Sequence, residues 1–258
     1  MKKMIFVDLD GTVLDHSTNS IPTKTIKTIK ELRENGHEVI LCTGRCPSLF
    51  YGMDKEMGVD SYIAANGRYV LYKGTVVSED TIEYKYIDEL VKFCDQNQID
   101  VGFEGINHYT SQNSYTDLPA KFSEYFHLEV PEVYPDFYKN HKVLQMVLFY
   151  NKEDYKNITE KFPNLTFHFA NDCGMDVNQG NGMKDLGISR LLEHTNFSIE
   201  NTIAIGDGFN DISMIEYCNY GIAMGNGNEE LKAKADYVTD DVSKDGFYKA
   251  FKKLGMVK

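Results

Sequence analysis

Short, wholly apolar runs alternate along this chain with stretches in which apolar residues return every three or four positions. The first apolar run, residues 4–7, passes straight into Asp8, Leu9, Asp10, Gly11 and Thr12. A run this short, closed by a glycine, predicts a buried strand of a parallel sheet, whose two faces are both covered. After a polar loop at 16–20, Pro22 opens a helix with Ile26, Ile29 and Leu32 on one face, and Gly36 closes it. Residues 39–42 form the next strand, running into Thr43, Gly44 and Arg45. Strand, helix, strand in this order predicts parallel pairing and a right-handed crossover. A third strand at 62–65 ends at Asn66-Gly67, and residues 69–72 and 75–77 flank Lys73-Gly74 as a hairpin.

From about residue 81 to 180 the pattern changes. This stretch is rich in Tyr, Phe and Asn, and no strand in it ends in aspartate. Ile87, Leu90, Val91 and Cys94 share one helical face. Residues 101–104, 142–150, 165–170 and 175–178 read as strands and 152–162 as a helix, the mixture of a small α+β domain. The first pattern then resumes, with a helix at 183–194 carrying Lys184 in its first turn. A strand at 202–205 ends at Gly206-Asp207-Gly208-Phe209-Asn210-Asp211, followed by a helix at 210–217, a strand at 221–224 and helices at 229–235 and 245–254. The expected fold is α/β: a doubly wound parallel-sheet core made of residues 1–80 and 183–258, interrupted by an inserted α+β domain at 81–182.

In such a sheet, ligands bind beyond the carboxyl ends of the strands. Alternation aims Asp8 and Asp10 the same way and turns Leu9 aside. Two carboxylates held so close need a cation or a shared proton. The same sheet edge is expected to gather Thr43 and Gly44, Lys184, Asp207, Asn210 and Asp211. Carboxylates plus a backbone carbonyl suit a hard cation such as Mg²⁺, with Asp8, Asp207 and the Asp10 carbonyl as ligands. No cluster of His and Cys competes for a softer metal. Thr43, the Gly44 amide, Asn210 and Lys184 are suited to phosphate oxygens. A phosphoryl group held there would face Asp8 as nucleophile, with Asp10 to protonate the leaving oxygen and then activate water. Asp211 is read either as the cap of the following helix or as a support for Lys184 or the metal's water shell. Arg45 reads as an exposed arginine of a helix first turn, His108 and His141 as ordinary histidines, and residues 134–138 as packing.

Composition narrows the partners. Lys plus Arg number 27 against 39 Asp plus Glu, a net charge of -12, which argues against nucleic acid or an anionic membrane. No apolar run approaches a membrane span. Five cysteines without a Cys-x-x-Cys pair read as reduced thiols of a cytoplasmic protein.

Asp8-Leu9-Asp10-Gly11-Thr12, Thr43-Gly44-Arg45, Lys184 and Gly206-Asp207-Gly208-Phe209-Asn210-Asp211 together resemble the four motifs of the haloacid dehalogenase (HAD) superfamily. An insert between the second and third motifs, with Asn66-Gly67 ahead of it, is similar to the Cof-type subfamily with its large α/β cap. The chain departs from the family's common Lys-Gly in having Asp185 after Lys184, and it lacks the usual proline in residues 178–182. The resemblance implies a Rossmann-like core, with Asp8 as nucleophile and Asp10 as general acid and base. It also implies a Mg²⁺-dependent phosphatase acting on a small phosphorylated metabolite, such as a sugar phosphate or pyridoxal phosphate. A monomer or weak homodimer is expected, with the insert as a lid that selects substrate and with hinges near 77–83 and 178–182. The rivals are a sugar-phosphate phosphotransferase or mutase and a non-catalytic phosphometabolite-binding regulator. The last is disfavoured because it would be free to lose Asp10.

Overall fold

The computed structural model describes residues 1–150, 156–180 and 183–258. The start of the helix expected at 152–162, and the hinge positions 181 and 182, lie outside the described residues. In chain order the elements begin with β1 (Met4–Val7), α1 (Thr23–Glu34), β2 (Glu38–Cys42), α2 (Met53–Glu56), β3 (Tyr62–Ala64), β4 (Tyr69–Tyr72) and β5 (Thr75–Glu79). The inserted stretch supplies α3 (Tyr84–Asn97), β6 (Asp100–Glu104), β7 (Tyr109–Ser111), α4 (Leu118–Phe126), β8 (Glu132–Val133), β9 (Gln145–Phe149), α5 (Lys156–Thr159), β10 (Leu165–Asn171) and β11 (Gly174–Gln179). The chain closes with α6 (Lys184–Thr195), β12 (Thr202–Gly206), α7 (Ile212–Tyr217), β13 (Gly221–Ala223), α8 (Glu229–Lys234), β14 (Tyr237–Val238) and α9 (Gly246–Lys253). Two units result. One holds residues 1–44, 52–79 and the described residues from 183 onward; the other holds 45–51 and the described residues of 80–180.

The first unit is an eight-stranded sheet in the order β14-β13-β12-β1-β2-β3-β4-β5. Strands β14 to β3 run parallel, and β4 and β5 add the antiparallel hairpin. All four β1 residues are fully buried, because β1 is central and covered on both faces. On α1, Ile29 and Leu32 are buried and Ile26 half-buried, the amphipathic face that the spacing requires. The register fixes the site. Val7 lies opposite Leu41 on one side and Ile205 on the other, so all three strands leave the sheet at one edge. The chain goes from β1 to β2 on one side and returns through β12 on the other, so this edge is the topological switch point.

The second unit is a six-stranded sheet in the order β10-β11-β9-β6-β7-β8, antiparallel except between β7 and β8. Met146 and Leu148 of β9 pack with α3 on one face, and Val147 and Phe149 pack with Phe122 of α4 on the other. This two-sided cover explains why β9 is apolar almost throughout. A buried polar row crosses the sheet among these residues. Asn178 Nδ2 donates to Gln145 Oε1 at 3.0 Å, and Gln145 Nε2 donates to Glu104 Oε2 at 3.0 Å. Burial and the Asp176 carboxylate push the Glu104 carboxyl up to about 8, against the opposing pull of Cys46, Gln145 and Arg45. Its folded pKa lies above its unfolded one, so its contribution to stability is full below about pH 4.5 and is lost as the pH rises through about 8. A Glu104→Gln variant keeps the hydrogen-bond row without the charge. Its melting temperature relative to the parent is therefore expected to rise by several degrees between pH 6 and pH 9, read by thermal melts. A flat difference across that range would mean that Glu104 is charged throughout.

Candidate active site at the carboxyl edge of the first sheet

The Asp8 amide extends the β1 ladder one step, donating to the Ile205 carbonyl at 3.0 Å. Leu9 is fully buried and Asp8 is 5% exposed, while Asp10 is half-buried, as alternation requires. Gly11 takes φ +77°, and a Cβ there would lie 2.2 Å from Asp207 Oδ2. Only glycine lets the first loop approach Asp207 this closely. Thr12 Oγ1 then donates to Asp207 Oδ1 at 2.9 Å.

Lys184, in the first turn of α6, is fully buried. Its Nζ donates to Asp8 Oδ1 at 2.6 Å and to Asp211 Oδ1 at 2.5 Å. Burial alone would lower its pKa, but the Asp211 and Asp8 carboxylates outweigh burial and hold it above the usual lysine value. The other oxygen of Asp211 accepts the amides of Asp207 at 2.9 Å and Gly208 at 2.8 Å. Asp211 thus caps the loop after β12 and holds Lys184 with the same carboxylate. Asp207 is fixed from the far side: its carbonyl accepts Asn228 Nδ2 at 3.2 Å, and Asn226 Nδ2 reaches its Oδ2 at 3.3 Å. Asn226 also donates to the Gly11 carbonyl at 2.8 Å and accepts the Val242 amide at 2.8 Å.

Asp8, Asp207 and Asp211 present oxygens that all lie within 4.8 Å of one another. Burial, then Asp211, pushes the Asp8 carboxyl up to about 7 despite Lys184. Burial with Asp8 and Asp211 pushes Asp207 well above the ordinary carboxylate range. One lysine against three carboxylates leaves a demand for positive charge, and an all-oxygen donor set is the kind that suits a hard cation. Asp211 already accepts three hydrogen bonds, from Lys184 and two backbone amides, whereas among the described residues Asp8 accepts from Lys184 alone and each Asp207 oxygen from a single donor, so Asp8 and Asp207 are the side chains with the most capacity left for such an ion.

Beside this cluster, Thr43 leaves β2 fully buried, its amide donating to the Ile63 carbonyl at 2.9 Å. Its own carbonyl accepts the Asn66 amide at 3.2 Å, and Asn66 Oδ1 accepts Asn210 Nδ2 at 3.0 Å. A Cβ on Gly44 would lie 3.1–3.3 Å from the two asparagine amides. Asp8, Asp10, Thr43, Gly44, Lys184, Asp207, Asn210 and Asp211 all belong to the first unit. Arg45 is a correction: it is buried, packs with the second unit and donates to the carbonyls of Leu49 and Phe126, each at 3.1 Å. His16 Nε2, 3.5 Å from Asp10 Oδ1, and Thr12, Asn66, Asn226 and Asn228 escaped the sequence reading of the site. Gly225-Asn226-Gly227 follows the apolar run 221–224, the same strand-into-turn signature that marked Asp8.

Residues 5–251 match the family model described as haloacid dehalogenase-like hydrolase. YkrA of Bacillus subtilis (strain 168) is 36% identical over 258 residues, covering 99% of this chain and 99% of its own. Pyridoxal phosphate phosphatase YbhA of Escherichia coli (strain K12) is 26% identical over 260 residues, covering 94% of this chain and 95% of its own. The solved structure of the HAD subclass IIB sugar phosphatase BT4131 has a TM-score of 0.88 at 28% identity. It covers 99% of this chain and 100% of that one.

Proposed function

This chain belongs to the haloacid dehalogenase-like hydrolases, and from that membership we propose that it is a Mg²⁺-dependent phosphatase hydrolysing a small phosphate monoester through an aspartyl phosphate. The observation that carries the reading is the fully buried Lys184 bridging Asp8 and Asp211, with Asp207 within the same 4.8 Å cluster. Asp8 and Asp207, with the Asp10 carbonyl, would hold Mg²⁺, which when bound neutralises charge on the phosphoryl oxygens.

Lys184 fixes one Asp8 oxygen, so the other attacks phosphorus while the bond to the leaving oxygen breaks. Asp10 gives its proton to that oxygen. It then takes a proton from the water that attacks the aspartyl phosphate, which releases phosphate and restores Asp8. Thr43, the Gly44 amide, Asn210 and Lys184 hold the non-reacting phosphoryl oxygens, so positioning and charge neutralisation supply most of the rate. The names of YbhA and BT4131 support pyridoxal phosphate or a sugar phosphate as substrate class. The insert at 81–182 is assigned the role of choosing among monoesters. The net charge of -12 fits a small metabolite better than a nucleic acid, and among the described residues no helix is long and apolar enough to cross a membrane. A cytoplasmic monomer or weak homodimer completes the reading.

The test is phosphate release from p-nitrophenyl phosphate, sugar phosphates, pyridoxal phosphate, nucleotides and flavin mononucleotide, with and without Mg²⁺. Phosphate appearing on an acceptor hydroxyl would favour phosphotransfer, and binding without turnover would favour a regulator. Exhaustive chelation is expected to remove activity and Mg²⁺ to restore it. Ca²⁺, with its larger and looser shell, is expected to restore little. Full turnover after chelation would overturn the metal requirement.

A further inference from the structure

The turn after β3 is backbone-strained at the residues nearest the site. Ala65 has φ 50°, Asn66 φ 51° and ψ 41°, and Gly67 φ 94°, three left-handed residues in succession. Glycine and asparagine enter this region readily, whereas alanine does so at a cost and persists there only where its surroundings fix it. The surroundings here are dense. A Cβ on Gly67 would lie 2.2 Å from the Met183 carbonyl, and Gly67 itself approaches Gly187 of α6. The turn is therefore wedged against the helix that carries Lys184.

Asn66, 1% exposed, links this turn to both remaining phosphate-binding segments. Its amide N–H holds the Thr43 carbonyl at 3.2 Å, which fixes the Thr43–Gly44 bend. Its Oδ1 accepts one N–H of the Asn210 amide at 3.0 Å, which sets the plane and direction in which the other N–H is presented. Gly44 has no side chain where a Cβ would crowd both amides.

We propose that Asn66 is a positioning residue of the phosphate site, orienting the Asn210 amide and the Thr43–Gly44 bend toward a phosphoryl group. The proposal rests on the phosphatase reading. The simpler alternative, an asparagine placed there only because it tolerates a left-handed turn, makes a different prediction for one variant. Asn66→Gly satisfies the backbone at least as well, keeps the backbone N–H on the Thr43 carbonyl and removes only the side-chain carboxamide.

The experiment measures inorganic phosphate binding by calorimetry in the presence of Mg²⁺, together with KM, kcat, Mg²⁺ half-saturation and melting temperature. Parent, Asn66→Gly, Asn210→Ala and the double variant are compared. Asn66→Gly is expected to weaken phosphate binding and raise KM about tenfold, with Mg²⁺ half-saturation unchanged and the fold retained. The double variant is expected to be no worse than Asn210→Ala alone, because the two residues act as one unit. Unchanged phosphate affinity, or losses that simply add, would overturn the proposal. A parent protein that binds no phosphate and hydrolyses nothing would instead remove the phosphatase reading itself.

Discussion

Asp8→Asn is expected to abolish turnover, lowering kcat by at least about 10⁴-fold, in a protein that remains folded. An amide does not attack phosphorus, and the two carboxylates clustered with Asp8 are held by other partners. Asp211 is fully engaged by Lys184 and two backbone amides, and Asp207 is pinned by Thr12 and Asn226. The fold is expected to tolerate the change because the Asp8 charge is costly where it sits: its carboxyl is pushed up to about 7. A neutral isostere still accepts from Lys184 and removes that cost, so the metal-free variant should melt no lower than the parent at pH 8. Steady-state assays of purified, folded variant check this. A kcat within tenfold of the parent would take the nucleophile's role away from Asp8.

Lys184→Met is expected to lose activity and stability together. The side chain is fully buried, and removing it leaves Asp8 and Asp211 facing one another in a low-dielectric interior without a counter-charge. Breaking a buried ion pair in this way costs about 3–5 kcal/mol, leaving an uncompensated buried charge. For a chain of this size that corresponds to a fall in melting temperature on the order of 10 °C. The sign of the pH dependence is fixed by the carboxylates. The deficit should be largest near pH 8, where Asp8 is ionised, and smaller near pH 5, where it holds its proton. Adding Asp211→Asn to Lys184→Met should recover part of the loss, because one of the stranded charges is gone. Thermal melts at the two pH values decide the matter. An unchanged melting temperature would show that Lys184 is not what compensates these carboxylates.

Much of the site was legible because its chemistry sits where local pattern changes abruptly. The apolar run 4–7 is buried on both faces, so Asp8 had to stand at its end, and the same logic located Thr43 and Asp207. The parallel core followed from strands too closely linked by helices to pair otherwise. What escaped was either too short to carry a pattern or decided by distant chain. β7 and β8, three and two residues long, have no periodicity to read. α4 hides behind its aromatic content, although Pro119 in its first turn and the buried Phe122 marked it. Arg45 was read as exposed because nothing nearby pairs with it, yet one of its carbonyl partners, Phe126, is 81 residues away. Asn66-Gly67 read as a strand ending in a turn. The left-handed run at 65–67 depends on α6, which arrives more than a hundred residues later.

The central place of β1 also sets an order of events during synthesis. β1 is flanked by β2, made soon after it, and by β12, whose partners for Met4–Val7 begin only at Thr202. Until the ribosome has delivered that strand, one edge of this wholly apolar strand stays unpaired, an exposed template for wrong partners. The insert faces no such wait, since its sheet and both of its apolar clusters come from one continuous stretch. It can be complete on the nascent chain while the first unit is still half a sheet. Lys184, Asp207, Asn210 and Asp211 are all translated in the last third of the chain. The candidate site is thus assembled late, and a message truncated before β12 yields a chain that has Asp8 and Lys184 but neither Asp207 nor Asp211 to complete their cluster.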